Sequence, residues 1–307
     1  MPILTSIIIP VLSLVAVFLF GIRKFSQHIR RVADGGFKRV LRKMTSSPLR
    51  GLGVGAGFTA LIQSSTATTV ILVGLVNAEI ITFYHSLGVI FGANIGTTIT
   101  SQLIALRVTN LAPYFILLGF LLTYFGRKYK NWGKPVFYFG LVFFSLSLIS
   151  LYIEPVRHNP EMVAMFANIS NLYVALIIGL LFTAIVQSST VTAGLVIVLA
   201  GSGLLDVYQA FGIILGSNLG TTITVVLASL PLGREAKRVA VAHALFNLLG
   251  ILILLPFFGS FVHFVSSISS DVQQQVAATH IIFNVIFAFL FLVFIKPFAR
   301  LIRNIVT

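Results

Sequence analysis

Apolar positions in this chain fall in long unbroken blocks, not in strict alternation. Leu4–Phe20 and Phe283–Ile295 show the pattern most clearly. Barrel strands would alternate polar and apolar residues, so blocks of this length predict helices. About 20 apolar residues cross the roughly 30 Å of a bilayer core. Blocks of that size lie near 3–22, 82–107, 110–126, 134–152, 206–230, 236–258 and 274–296. Two further stretches, 50–78 and 172–201, are too long for one crossing, and each carries a polar cluster midway. We read these two as re-entrant helical hairpins, because non-helical backbone at membrane depth survives only inside protein or along a polar cavity.

Seven crossings put the two termini on opposite sides. The polar loops 23–50, 127–134 and 231–238 and the tail from Lys296 then share one side. They hold all of the 21 basic residues except Arg107 and Arg157. Basic loops face the cytoplasm, so the expectation is an external N-terminus and a cytoplasmic C-terminus in the cell (inner) membrane. The stretch 24–46, with Arg30, Arg31, Lys38, Arg39, Arg42 and Lys43, predicts an amphipathic helix on the anionic inner leaflet. Composition agrees with this picture. Apolar residues make up 57% of 307 positions and charged residues only 9%, with a mean hydropathy of +1.03, whereas a soluble domain carries about 25% charged residues. The net charge of +14 therefore reads as cytoplasmic loop charge, and no nucleic-acid partner is expected. Cysteine is absent, which excludes disulfides and thiolate metal sites. No cleavable leader is expected, since no basic residue precedes the first apolar run.

The chain repeats itself. Phe58-Thr-Ala-Leu-Ile-Gln-Ser-Ser-Thr66 matches Phe182-Thr-Ala-Ile-Val-Gln-Ser-Ser-Thr190, and Gly92-Ala-Asn-Ile-Gly-Thr-Thr-Ile-Thr100 matches Gly216-Ser-Asn-Leu-Gly-Thr-Thr-Ile-Thr224, both at an offset of 124. The repeats are expected over 1–126 and 134–258, followed by a further helix and tail over 274–307. Three crossings separate the two hairpins, so they enter from opposite faces and the repeat is inverted. Inverted repeats with interrupted helices form many secondary transporters, with the substrate near midplane.

The chemistry concentrates in the polar clusters. A lone intramembrane serine is usually explained by helix packing or by a bond to the i−4 carbonyl. Two identical clusters, each midway along an apolar stretch, are not. At a helix break, the following half-helix offers free amides and a positive dipole end, which together hold an anion without a formal charge. Gln63, Ser64, Ser65, Thr66, Gln187, Ser188, Ser189 and Thr190 are the candidate anion ligands. Carbonyl and hydroxyl oxygens suit a hard cation. Asn94-Ile-Gly-Thr-Thr98 and Asn218-Leu-Gly-Thr-Thr222 are expected to unwind their spans, as glycine and asparagine permit. Asn94, Thr97, Thr98, Asn218, Thr221 and Thr222, with Gln63, Ser64, Gln187 and Ser188, are the candidate cation ligands.

None of the seven acidic residues falls mid-span, which disfavours a carboxylate proton relay. Glu79 and Asp206 end the hairpins near equivalent positions and read as caps, gates or solvated loop charge. His243-Ala-Leu-Phe-Asn247 and His280-Ile-Ile-Phe-Asn284 place two polar groups on one helix face, read as interhelical hydrogen bonding ahead of cavity lining. Gly51, Gly53, Gly55 and Gly57 read as close helix packing, since neither a preceding strand nor a following lysine makes them a nucleotide loop.

On Gln63-Ser-Ser-Thr-Ala-Thr-Thr69, Gln187-Ser-Ser-Thr-Val-Thr192 and the two Asn-x-Gly-Thr-Thr elements, the sequence resembles the type II sodium–phosphate cotransporter family over about residues 50–290. The resemblance implies sodium-driven phosphate movement, with phosphate between the hairpin tips and sodium as coupling ion and no other cofactor. By the same analogy Gln187, Ser188, Thr221 and Thr222 look like sodium ligands. The residues Thr66 and Thr190 depart from the serine usual in animal members. The chain looks like a minimal bacterial form, without the large external loop or an attached regulatory domain. The expected class is an all-α polytopic membrane protein with two inverted repeats, re-entrant hairpins and broken transmembrane helices. Its expected partners are phosphate, sodium and membrane lipids, and a homo-oligomer is an allowed assembly. A sodium-coupled carrier of sulfate or arsenate stays open, as does a passive anion channel. An intramembrane enzyme is weakest, because the serines lack a base.

Overall fold

The computed structural model describes residues 7–33, 47–167, 169 and 171–307. Among them every regular element is helical. Seven helical stretches are long and apolar enough to cross a membrane: Ile9–Val32, Phe83–Ala105, Val108–Phe125, Lys130–His158, Val207–Ser229, Arg234–Ser266 and Val272–Val293. They fall where the apolar blocks predict them.

Helix α1 (Ile9–Ala33) runs on without a break through Arg30 and Arg31. Residues 24–33 are thus the end of the first long helix and not the start of a separate surface helix. The two arginines sit in its last turn, where cations complement the helix dipole. The remainder of the expected amphipathic segment, with Asp34, Lys38, Arg39, Arg42 and Lys43, lies outside the described residues.

Helices α2 (Pro48–Ile62) and α3 (Ser65–Asn77) follow as a hairpin. Pro48 opens α2 behind a Ser47 cap, a combination that fixes the helix start. At 1.5 Å per residue the arms measure about 22 and 20 Å, too short to cross alone. Next come α4 (Phe83–Thr97), α5 (Ile99–Ala105), α6 (Ala112–Phe125), α7 (Lys130–Ile153) and the short α8 (Pro160–Ala167). A second hairpin, α9 (Leu172–Val186) and α10 (Ser189–Gly201), precedes the continuous α11 (Val207–Ser229) and α12 (Arg234–Leu254). Helices α13 (Phe258–Ser266), α14 (Val272–Val293) and α15 (Ile295–Ile305) complete the chain. Adding 124 to the bounds of α2, α3 and the start of α4 gives those of α9, α10 and the start of α11.

Lipid tails supply no hydrophobic drive between helices, so close backbone approach must do the packing. Gly88, Gly92 and Gly96 form an i, i+4 stripe on α4 that lies against the α2 backbone, and Gly212, Gly216 and Gly220 repeat it on α11 against α9. A Cβ on Gly92 would be driven into the Leu52 carbonyl oxygen, and one on Gly216 into that of Leu176. On α2 itself only Gly51 and Gly55 meet α4, while Gly53 and Gly57 face open space. The glycine run therefore packs along one face only.

Outside the hairpins the halves differ. Helix α12 packs on the exit arm of the first hairpin, whereas α6 packs on α7 and leaves most of its surface exposed. Helix α14 touches α4 and α5 of the first half and α10 and α11 of the second. Its start is fixed by Asp271, whose carboxylate accepts from the Gln273 and Gln274 amides and pairs with Arg107 at 3.0 Å. Asp271→Ala is expected to cost about 1 kcal/mol through the lost cap. Arg107→Gln, which removes only a pair with an exposed guanidinium, is expected to cost a few tenths. Thermal melts of both variants compare them, and equal losses would assign the effect to the ion pair.

Candidate functional site at the hairpin tips

Each hairpin turns on one glutamine in the left-handed region. Gln63 has φ 61° and ψ 31°, and Gln187 has φ 58° and ψ 31°. The next residues return to extended geometry, Ser64 at −151°, 100° and Ser188 at −152°, 102°. The same four-residue sequence, Gln-Ser-Ser-Thr, thus folds the same way twice. Left-handed backbone at a non-glycine residue costs roughly 1–2 kcal/mol, so the surroundings must hold it. Part of that hold is visible. The Gln63 amide donates to the Thr59 carbonyl at 2.7 Å, and Gln187 to Thr183 at 2.6 Å. The Thr59 hydroxyl donates to that of Thr68 at 2.9 Å, and the Thr183 and Thr192 hydroxyls meet at 2.6 Å. These rungs clamp the two arms of each hairpin just below the turn.

Beyond the turn, Ser64 Oγ accepts from the Ala67 amide and Ser188 Oγ from the Val191 amide. The first backbone bonds of the exit arms start at Thr68 and Thr192. The amides of Ser65, Thr66, Ser189 and Thr190 therefore precede the helical ladder and point out of the helix end. Ser65 and Ser189 are buried as residues, and their hydroxyls take part in no bond among the described residues. A capping serine that accepts an amide also keeps its own proton to donate. Each tip therefore carries unbonded donors at a helix start, the kind of group an oxyanion needs.

The two tips meet. Thr190 Oγ1 lies 3.5 Å from the Gln63 carbonyl, at the long end of hydrogen-bonding range, across 127 residues of sequence. Helix α11 packs on the exit arm of the first hairpin and α5 on that of the second. The surroundings are unequal: Gln63 is 7% exposed, with its Oε1 unpartnered, while Gln187 is exposed.

The Asn-x-Gly-Thr-Thr elements correct the expectation of unwound spans. Val207–Ser229 is one continuous helix through Asn218 and Thr222. The only irregularity in the first copy is at Thr98, which keeps helical angles of −71° and −15°. The reason is local: Thr97 donates to the Ala93 carbonyl, Thr98 to Ile95, Thr221 to Ser217 and Thr222 to Leu219, so the hydroxyls reinforce their own helix. The glycines serve close approach. A Cβ on Gly96 would lie 2.8 Å from Thr59 Cβ, and one on Gly220 3.0 Å from Thr183 Cβ. Each element thereby sits beside the last turn before its glutamine. A threonine that spends its proton inside the helix has only lone pairs to offer outward, which favours a cation over an anion. Asn94 Nδ2 donates to the Ile90 carbonyl at 2.9 Å, while Asn218 Nδ2 is buried and unpartnered.

Two other candidates resolve. Asp206 caps α11 in a reciprocal pair with Gln209, but Glu79 is not its counterpart. At an offset of 124, Glu79 (φ 58°) corresponds to Gly203 (φ 74°), both left-handed turn residues. The His-x-x-Phe-Asn motifs bond mainly within their own helices, Asn247 to the His243 carbonyl and Asn284 to that of His280. One interhelical bond joins them to the rest, His280 Nδ1 to Ser101 Oγ at 2.9 Å. Sequence reasoning passed over the clamp residues Thr59 and Thr183. Their signal was present, since both belong to the repeated Phe-Thr-Ala.

A family profile described as Na+/Pi-cotransporter matches residues 17–151 and 159–295. The chain is 34% identical over 274 residues to "Uncharacterized protein YqeW" of Bacillus subtilis, covering 88% of this chain and 89% of that one. It is 28% identical over 250 residues to the Escherichia coli "Putative inorganic phosphate export protein YjbB", covering 80% of this chain and 46% of the relative. Over 96 residues it is 41% identical to the sheep "Sodium-dependent phosphate transport protein 2A", covering 29% of this chain and 15% of that protein. No solved structure matches.

Proposed function

This chain belongs to the Na+/Pi-cotransporter family, and on that premise we propose that it couples inorganic phosphate movement to sodium across the cell membrane by alternating access. It is a multi-pass membrane protein. In the proposed topology the N-terminus is outside, the C-terminus cytoplasmic, and the two hairpins are re-entrant from opposite faces, making the repeats inverted. Phosphate sits between the tips, held by the free amides and hydroxyls of Ser64, Ser65, Thr66, Ser188, Ser189 and Thr190 with the side-chain amides of Gln63 and Gln187. Sodium sits on oxygens of the same turns, Gln63, Ser64, Gln187 and Ser188, and of the neighbouring Asn94, Thr97, Thr98, Asn218, Thr221 and Thr222.

The observation that supports this reading most is the approach of Thr190 to the Gln63 carbonyl, which brings two helix N-termini to one place. Each end carries about half a positive charge, so two of them with neutral donors balance an anion, and a cation alongside reduces the burial cost further. Sodium bound first raises phosphate affinity, and by linkage phosphate raises that for sodium. The unequal exposure of the tips fits a cycle in which one tip is sealed while the other is open. Net direction follows the combined gradients, so the same cycle loads or unloads a cell.

The test is labelled phosphate flux in proteoliposomes. Uptake is expected to rise when an inward sodium gradient replaces an equal potassium gradient. Vesicles preloaded with phosphate and diluted into sodium-free buffer should show sodium-stimulated efflux from the inside. Flux indifferent to the cation removes the coupling. Stronger inhibition by sulfate than by arsenate would move the substrate away from phosphate, since arsenate is its nearer analogue in charge and shape.

A further inference from the structure

A basic pocket of about 520 Å3 opens where the start of α7 meets the end of α1 and the last turn of α6. Its lining includes His28, Arg31, Lys130, Asn131, Trp132 and Lys134, none of which belongs to either hairpin. We propose that this pocket seats the phosphate headgroup of an anionic phospholipid.

Charge is the first ground. Arg31, Lys130 and Lys134 supply three cations, and among the described residues no carboxylate lines the cavity. Neither of the ion pairs among the described residues involves these three. Helix α7 begins at the same place, with no acidic residue in its first turn and no side chain capping it. Its dipole adds to the same field. Two of the neutral side chains are engaged elsewhere, His28 Nδ1 with the Lys24 carbonyl at 2.8 Å and Thr123 as donor to the Gly119 carbonyl at 2.7 Å. The three cations therefore carry the charge of the site, and Asn131 adds a neutral polar group beside them.

The second ground separates a lipid from free phosphate. The pocket adjoins the most exposed of the seven candidate spans among the described residues. On α6, Leu117, Leu121, Tyr124 and Phe125 are 58%, 44%, 70% and 72% exposed, and Trp132 at the pocket wall is 45% exposed. A headgroup seated on the cations lays its acyl chains along that face, with the indole at the level where tryptophan favours the membrane interface. Basic pockets between helices bind phospholipid headgroups on these terms. A free phosphate would gain the charge contact but leave the apolar wall without a partner.

The test is native mass spectrometry of the purified full chain in detergent with added phosphatidylglycerol, and with phosphatidylcholine as the neutral comparison. Retention of phosphatidylglycerol above phosphatidylcholine is expected. The triple variant Arg31→Gln, Lys130→Gln, Lys134→Gln should lose about fivefold in affinity for each cation, roughly a hundredfold in all. Lys296→Gln, Arg300→Gln, Arg303→Gln removes the same charge from α15 and should leave retention unchanged. The double variant Lys130→Gln, Lys134→Gln leaves α1 untouched and should lose about 25-fold, which covers a triple variant that misfolds. Equal losses in the two triple variants, unchanged retention in the pocket variants, or equal binding of both lipids would each overturn the proposal. So would displacement of phosphatidylglycerol by millimolar inorganic phosphate, which would make the pocket a free-anion site.

Discussion

Ser65→Ala and Ser189→Ala are each expected to cut labelled phosphate flux roughly 10- to 100-fold while leaving the melting temperature within a degree or two of the parent. The flux figure follows from the hydroxyl's proposed role. A hydrogen bond to a charged group contributes about 1.5–3 kcal/mol, and the low dielectric of a protein interior does not weaken it. The stability figure follows from geometry, because neither hydroxyl makes a bond among the described residues, so truncation leaves no partner stranded. The neighbouring serines supply the contrast. Ser64→Ala and Ser188→Ala remove the acceptors for the Ala67 and Val191 amides and should lower stability by about 1 kcal/mol as well as flux. Full flux from both Ser65→Ala and Ser189→Ala, with the proteins folded, would place the anion elsewhere.

Adding one methyl group at Gly92 or Gly216 is expected to destabilise the fold by about 1–3 kcal/mol per site, the range for forcing extra volume into a packed interior. The same change at Gly53 or Gly57 should be neutral or favourable by up to about 1 kcal/mol, as helix propensity alone dictates. All four are glycine-to-alanine changes within the α2, α4 and α11 helices, so composition cannot explain a difference. Position does: the first two would thrust a Cβ into a facing carbonyl oxygen, and the others meet nothing within 4 Å. Fluorescence-detected size exclusion after a heat step reads the outcome. If Gly92→Ala and Gly216→Ala survive heating as well as the parent, the two helix pairs do not depend on that close approach.

Much of the fold was legible because membrane helices announce themselves in blocks. The seven crossings fell where apolar length placed them, and the repeated Gln-Ser-Ser marked both turns. Between these landmarks the sequence misled where one residue type serves two ends. Glycine and asparagine in Asn94–Thr98 and Asn218–Thr222 permit unwinding, but glycine also permits contact, and here contact decided. Threonine sharpened the ambiguity, since its hydroxyl can serve a ligand or its own helix, and only the distances to Ala93, Ile95, Ser217 and Leu219 separate the two. The exposed position of α6 did have a signature, in composition. Helix α6 carries no charged residue and can face lipid, whereas its equivalent α12 carries His243 and Asn247, which are buried, as polar groups in a membrane helix must be.

The twin turns carry a mechanical consequence. Gln63 and Gln187 agree to within a few degrees in backbone angles, yet one amide is shut away and the other open. Nothing inside either loop records which of the two is solvated; that bias is written in the helices pressing on them. Exchanging the roles of the tips would then demand no new loop shape, only a rebalancing of two packings whose energies differ by a few kcal/mol in bistable proteins. A gap of that size lies within reach of one preferentially bound ligand.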